Sequence, residues 1–299
     1  MVVKGRRMGK HRVMESYANG PGYTKRLPDH YLKGTSANPG FGVTEYPCTL
    51  EWYPSDDEDR WKQNLRENRD ELKKSGWLGK NDQPKPIEYR INKWGFRGDE
   101  IEDLTENPIL CLGCSNTFGI GIHEHWTWPA QLEDAIDVPV VNLGVPGGSL
   151  DTCFRLASYW TPILEPRAII VLIPPGVRRE LWLDSSGNLP PDQRGESTEF
   201  FGDQGWWYQY GINKNWNDWH DEIFTSPQEM LVNTQKNMWA LRGLALHHFA
   251  KFWQLDITRD IPGEIRRSEI KARDLGHHGK DAMTSLIKNI VKEWKRSHG

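Results

Sequence analysis

The run Ile109-Leu-Cys-Leu-Gly113 is apolar throughout and breaks at once into the turn-forming residues Ser115-Asn-Thr117. A strand with one face in water alternates, whereas a short unbroken apolar run suits a strand covered on both faces. Val138-Pro-Val-Val-Asn142 and Ala168-Ile-Ile-Val-Leu-Ile173 repeat the pattern, with helix-like stretches at 128–136 and 150–160 between them and Ser149 placed as an N-cap. Strand and helix in alternation predict a parallel sheet with helices on both faces, joined by right-handed crossovers. In such a sheet ligands bind beyond the carboxyl ends of the strands.

The flanking sequence reads differently. Residues 17–54 are rich in Gly, Pro, Tyr and Thr without period, as irregular chain wrapped on a larger body would be. Ser55-Asp-Asp-Glu58 has the spacing of a capping box and predicts a polar helix to about Lys74, stopped by Gly76. Glu88-Tyr-Arg-Ile-Asn92 alternates as a short strand does, and Trp94-Gly-Phe-Arg-Gly98 is a turn with aromatic anchors. Residues 182–226 interrupt the rhythm with Trp206, Trp207, Tyr208, Tyr210, Trp216 and Trp219. Aromatics this dense ordinarily pack within their own domain or against a second subunit, which keeps a homo-oligomer in view. Their functional alternative is a platform for sugar rings or acyl groups. Helical spacing returns over 227–251 and 284–294. The expected organisation is an N-terminal extension, 1–107, packed on one elaborated domain, 108–299.

Only 37% of residues are apolar and the mean hydropathy is −0.71, so 15 Trp must supply much of the burial. A net charge of −3 and a pI of about 6.4 give no global reason to bind nucleic acid or an anionic membrane. Lys4, Arg6, Arg7, Lys10 and Arg12 form a basic arm with no apolar run behind it, so neither a signal peptide nor a membrane anchor is expected. Four scattered cysteines suit a reducing compartment rather than a disulfide scaffold. A cytoplasmic placement is therefore expected.

Ser115 lies immediately past a buried strand, where its hydroxyl reaches the functional edge of the sheet. Gly113 and Gly119 let backbone amides approach a ligand, so one turn could offer both a nucleophile and an oxyanion donor. Its ordinary alternative is a plain turn or N-cap. Far downstream, Ala272-Arg-Asp-Leu-Gly-His277-His278-Gly279 places a carboxylate three residues before a histidine. Asp274 can orient His277 and leave its second nitrogen for Ser115, as acyl transfer requires. Adjacent His278 competes for the role, and a solvated loop is the bland reading.

At these two segments the chain resembles the SGNH (GDSL-type) hydrolases, which carry a Gly-Asp-Ser block early and an Asp-x-x-His block late. Here the first block reads Gly113-Cys114-Ser115, and Val141-Asn-Leu-Gly144 with Gly147 resembles the second, whose glycine amide completes the oxyanion hole. The resemblance covers roughly 109–180 and 268–292, with Trp94-Gly-Phe-Arg97 as a lead-in. It implies a flavodoxin-like three-layer α/β/α fold around a parallel sheet. It also implies a catalytic set of Ser115, His277 and Asp274, with an oxyanion hole from the amides of Ser115 and Gly144. The chain is similar, more distantly, to SGNH-like proteins of tailed phages, which implies a virion-associated placement as the alternative to a cytoplasmic one. The sequence departs from the family at Pro174-Pro-Gly-Val-Arg178-Arg179-Glu180, which replaces the third block, Gly-x-Asn-Asp. Losing that amide donor costs about 2.7 to 4 kcal/mol of transition-state stabilisation. Arg178 or Arg179 could substitute as a cationic donor, and Asn116 is a further candidate for contact with substrate.

The resemblance thus implies a serine esterase acting on a small ester or an acylated glycan, a carbohydrate O-acetylesterase among the options, with no cofactor. The alternative is a weak or inactive SGNH-like binding or structural module. Cys111, Cys114, His123 and His125 have zinc-like spacing, but Cys111 lies within an apolar strand and reads as a small buried hydrophobe, so no metal is expected. No paired carboxylates suggest glycosidase chemistry, and no lysine-containing phosphate loop suggests nucleotide binding.

Overall fold

The computed structural model describes residues 47–53, 55–104, 106–183, 198–200, 206–210, 226–268 and 270–298. The basic arm, Trp216 and Trp219 lie outside them.

Strands β1 (Cys48–Leu50) and β2 (Tyr89–Ile91) pair antiparallel, Cys48 opposite Ile91. Between them run α1 (Glu58–Glu67) and α2 (Arg69–Lys74). The expected helix starts two residues late: Ser55 has φ +68, and Asp57 is the cap, accepting from the Arg60 amide at 2.7 Å. It also breaks at Asn68, whose φ −134 and ψ 31 are not helical.

The central sheet contains β3 (Ile109–Gly113), β4 (Val140–Gly144), β5 (Ala168–Leu172) and a later strand, Lys251–Leu255. Short helix α3 (Ser115–Phe118) follows β3, α4 (Trp128–Ile136) leads to β4, and α5 (Leu150–Leu164) leads to β5. Ser149 caps α5 in a reciprocal pair with Thr152, as its position predicted. After β5, the strands β6 (Arg179–Leu183), β7 (Thr198–Phe200) and β8 (Trp206–Tyr210) form a separate antiparallel sheet that begins three residues before the expected insertion and continues into it. Helix α6 (Pro227–His247) then delivers the chain to β9, the Lys251–Leu255 strand. Short helices α7 (Ile257–Asp260) and α8 (Gly263–Ser268) precede the long α9 (Lys280–His298).

Sequence reasoning carried α6 through Lys251 and missed β9. The helix ends where Phe249 takes φ +56 and the Ala250 amide bonds Ala245 O at 2.9 Å, a left-handed termination made without glycine or proline.

All three strand pairings of this sheet are parallel, in the order β4-β3-β5-β9. Alternation sorts the core. Ile109 and Cys111 of β3 and Ala168 and Ile170 of β5 face Trp128 and Leu132 of α4 and Leu286 and Ile290 of α9. Leu110, Leu112, Ile169 and Val171 face Leu156 and Trp160 of α5 and Leu241 of α6. The result is the expected three-layer α/β/α arrangement with flavodoxin-like strand order. Trp61, Trp77 and Tyr89 share the first of these cores, so residues from α1 to β2 pack on the sheet. The chain leaves β3 toward one side and later crosses to β5 on the other, which opens a crevice at their carboxyl ends. Among the described residues no helix is long and apolar enough to cross a membrane.

Candidate active site

Ser115 sits at that crevice, as the first residue of α3 and only 8% exposed. The chain can turn so sharply after β3 because residue 113 is glycine: with φ +156, a Cβ there would lie 2.1 Å from Thr117 Oγ1 and 2.9 Å from Leu172 O. As the opening residues of a helix, Ser115 and Asn116 have amides with no intrahelical acceptor, directed at whatever sits beside the hydroxyl. Ser115 Oγ lies 4.0 Å from Cys114 Sγ. Burial pushes the Cys111 and Cys153 thiols well above their ordinary value, so both stay protonated and are poor competing nucleophiles.

The far end of α3 is held from two sides. Asn142 Nδ2 donates to Thr117 O at 2.9 Å. Arg97, fully buried over the Tyr89 ring, donates to Gly119 O, to Ile122 O at 2.9 Å and to Glu88 O at 3.1 Å. The Trp94-Gly-Phe-Arg97 segment therefore props the serine turn from behind.

Asp274 and His277 meet directly, His277 Nδ1 lying 2.6 Å from Asp274 Oδ2. The other carboxylate oxygen accepts the amides of Gly276 and His277, each at 3.1 Å, so the acid fixes both the loop and the ring. Asp274 is buried while the His277 side chain is 18% exposed, and with Nδ1 against the acid the second ring nitrogen is Nε2. Of the two adjacent histidines, His277 contacts the acid, while the His278 amide donates to Asn116 Oδ1 at 3.5 Å. Asn116 Oδ1 thereby links the serine turn to the histidine loop. No hydrogen bond joins Ser115 Oγ to the His277 ring.

The histidine loop is anchored by residues that sequence reasoning had left without a role. Asp274 O accepts from Asn64 Nδ2 at 3.0 Å and Arg60 Nε at 3.4 Å, and Lys271 O accepts from Trp77 Nε1 at 2.8 Å. Arg273, 1% exposed, pairs with buried Asp56 at 2.8 Å and donates to Glu51 O and Lys85 O. Tyr89 OH donates to the same Asp56 and accepts the Gly121 amide at 2.8 Å, while the Arg273 amide donates to Gly121 O at 2.7 Å. One buried carboxylate thus ties the loop beyond Ser115 to the loop carrying Asp274.

The oxyanion assignment needs correction. The Gly144 amide donates to Asn142 Oδ1 at 3.0 Å, and a Cβ at 144 would lie 2.3 Å from Phe118 N. Gly144 is glycine so that α3 can lie against β4, and its amide is already engaged. Gly147 fits the role better: Val145-Pro-Gly-Gly148 is a turn closed by Gly148 N–H to Val145 O at 2.8 Å, with Gly147 at φ +75. In that geometry the Gly147 amide points away from the turn's own bond. The Val145 amide donates to Gly113 O at 3.1 Å, which brings this turn to the end of β3.

The two arginines also separate. Half-buried Arg178 reaches Gly148 O at 3.5 Å, beside that turn. Arg179 is buried and faces away, donating to Gly176 O at 2.6 Å and lying 3.5 Å from Glu229 of α6, so it is a structural tie rather than an oxyanion donor. Among the described residues no group of three or more His, Cys, Asp or Glu side chains is gathered as metal ligands. Cys111 is in the core and His123 lies edge-on to Trp126 at 4.6 Å.

An open cavity of about 600 Å³ is lined by Asp274 and His277 of the histidine loop and by Arg60, Gln63 and Arg66 of α1, and Ser115 is not among its walls.

A family model described as a domain of unknown function (DUF6473) matches residues 77–176. No curated protein matches the chain. Among solved structures the chain is similar to a psychrotrophic esterase, EstA, from Pseudoalteromonas sp., at 14% identity over 64% of this chain and 100% of that one, with a TM-score of 0.34. It is similar to a putative GDSL-like lipase from Bacteroides ovatus at 13% identity, over 64% of this chain and 54% of that one, with a TM-score of 0.33. A putative acylhydrolase from Bacteroides fragilis matches at 14% identity, 64% and 89% coverage, and a TM-score of 0.28.

Proposed function

We propose that this protein is a serine acylhydrolase that cleaves small esters through an acyl-Ser115 intermediate. The observation carrying this reading is the Asp274–His277 bond, on a loop docked against the turn that holds Ser115. Asp274 fixes the tautomer with the proton on Nδ1, so Nε2 is the basic nitrogen. His277 takes the Ser115 proton as Oγ attacks the carbonyl carbon, and the resulting oxyanion meets the Ser115 and Gly147 amides. Collapse breaks the bond to the alcohol, which leaves with the proton from His277. Water, deprotonated by the same nitrogen, then attacks the acyl carbon and frees Ser115.

Arg178, beside the Gly147 turn, is the group placed to add positive charge at the oxyanion where the family's asparagine is missing. Within the esterases, the narrower reading is an O-acylated carbohydrate, supported by the charged and amide side chains around the cavity at His277.

Steady-state hydrolysis of 4-nitrophenyl acetate tests the proposal. The protein is expected to turn the ester over and Ser115→Ala, folded by circular dichroism, to fall to the background rate. A Ser115→Ala variant as fast as the parent would rule out the acyl-serine route.

A further inference from the structure

We infer that Asp151 is a positioning residue for the ester hydrolysis proposed above: its carboxylate, on the first turn of α5, holds the segment carrying Arg178 in register with the Gly147 turn. The inference rests on that reading and on the charge Arg178 supplies there.

Arg178 does little to place itself. Among the described residues its side chain makes one hydrogen bond, to Gly148 O at 3.5 Å, so the guanidinium goes where the backbone of 176–180 sends it. That backbone is held on both sides. The Arg178 amide donates to Pro175 O at 3.1 Å, and buried Arg179 donates to Gly176 O at 2.6 Å and to Arg178 O at 3.0 Å. Beyond Arg178, the Glu180 amide donates to Asp151 Oδ2 at 3.2 Å. The Glu180 carboxylate pairs at 2.7 Å with Arg155, one turn along α5 from Asp151, and the two side chains are only 9% and 4% exposed.

Asp151 also reaches a third element. Its other oxygen, Oδ1, accepts from Asn237 Nδ2 at 2.8 Å, and Asn237 is buried and bonds Asn233 O at 3.1 Å, one turn back on α6. One carboxylate therefore joins α5, β6 and α6. It stands four residues after Gly147, in the turn that Ser149 and Thr152 close as a reciprocal cap. The two donors assigned to the oxyanion, the Gly147 amide and the Arg178 guanidinium, are thus registered against the same turn of α5. An acid in the first turn of a helix is ordinary, because it faces the unpaired amides there. Bonds from that acid to a strand and to a second helix are more than this ordinary role requires.

Donors lower a barrier in this way only while they are held where charge develops. Without the Asp151 carboxylate the Glu180 amide loses its acceptor, and Arg178 keeps its charge but not its place. The oxyanion exists only at and around the transition state, so the loss reads in kcat rather than in KM.

A double-mutant cycle on 4-nitrophenyl acetate hydrolysis tests the inference. Arg178→Ala should lower kcat about a hundredfold and Asp151→Ala about tenfold, each with KM within about twofold of the parent. Asp151→Ala/Arg178→Ala should fall no further than Arg178→Ala, because nothing remains to position. Parental kcat in Asp151→Ala, or a double variant slowed by the product of the two single effects, would overturn the inference. Should Asp151→Ala not fold, as judged by circular dichroism, Asp151→Asn takes its place in the cycle: with one acceptor oxygen instead of two it cannot serve both donors, and the same outcomes apply. An Arg178→Ala variant with parental kcat would overturn the inference and leave the acyl-serine reading intact, whereas a parent inert toward the ester would end both.

Discussion

Asp274 makes three hydrogen bonds with one carboxylate, two to backbone amides of its own loop and one to the His277 ring. Replacing it by asparagine keeps the size but puts an amide where an acceptor is needed, so His277 would be held in the wrong tautomer. Asp274→Asn should lower kcat by about 10³- to 10⁴-fold while KM changes little. An unchanged kcat would mean that the acid does not orient the base. Local spacing made the turn at Ser115 and the Asp274–His277 contact legible, because a turn after an apolar run and an Asp-x-x-His segment are each set within a few residues. The oxyanion donor was not legible in the same way. Gly144 and Gly147 differ in what their amides do, and only the Asn142 side chain, folded back on Gly144, separates them. Arg178 and Arg179 are neighbours in sequence but reach the turn at 145–148 and the start of α6 respectively.

Among the elements, α1 and β2, with Asp56 and Trp77 beside them in the chain, carry the groups that hold the histidine loop in place. Asp56 and Arg273 are 2% and 1% exposed, and removing one partner leaves the other buried and uncompensated. Asp56→Ala should therefore cost about 3 to 5 kcal/mol of stability, measured by urea denaturation. A loss below about 1 kcal/mol would show the pair to be energetically incidental. None of this could be read from residues more than 200 positions apart without a tertiary structure. Strand legibility follows burial. The runs that became β3 and β5 are buried at every position, whereas β9 is exposed or half-buried through most of its length. Its Lys251-Phe-Trp-Gln-Leu255 sequence carries no apolar run and follows a helix that ends without glycine, so it merged with the helical spacing before it.

The whole molecule is a parallel sheet with helices on both faces, and that much follows from the three apolar runs and the helical stretches between them. The carboxyl ends of β3 and β5 then define where chemistry can occur, and Ser115 is at that place. Residues 47–97 are more than an extension: they share the first core with the sheet and anchor the loop carrying Asp274 and His277. The family model reaches from Trp77 to Gly176, covering the serine turn but not that loop. The central claim is that the loop at 274–277 activates Ser115, and mass spectrometry after fluorophosphonate treatment tests it without knowledge of the substrate. The account predicts one adduct on Ser115 in the parent and none in Ser115→Ala or His277→Ala. A parent that stays unlabelled at high probe concentration, or a His277→Ala variant labelled as fast as the parent, would contradict it.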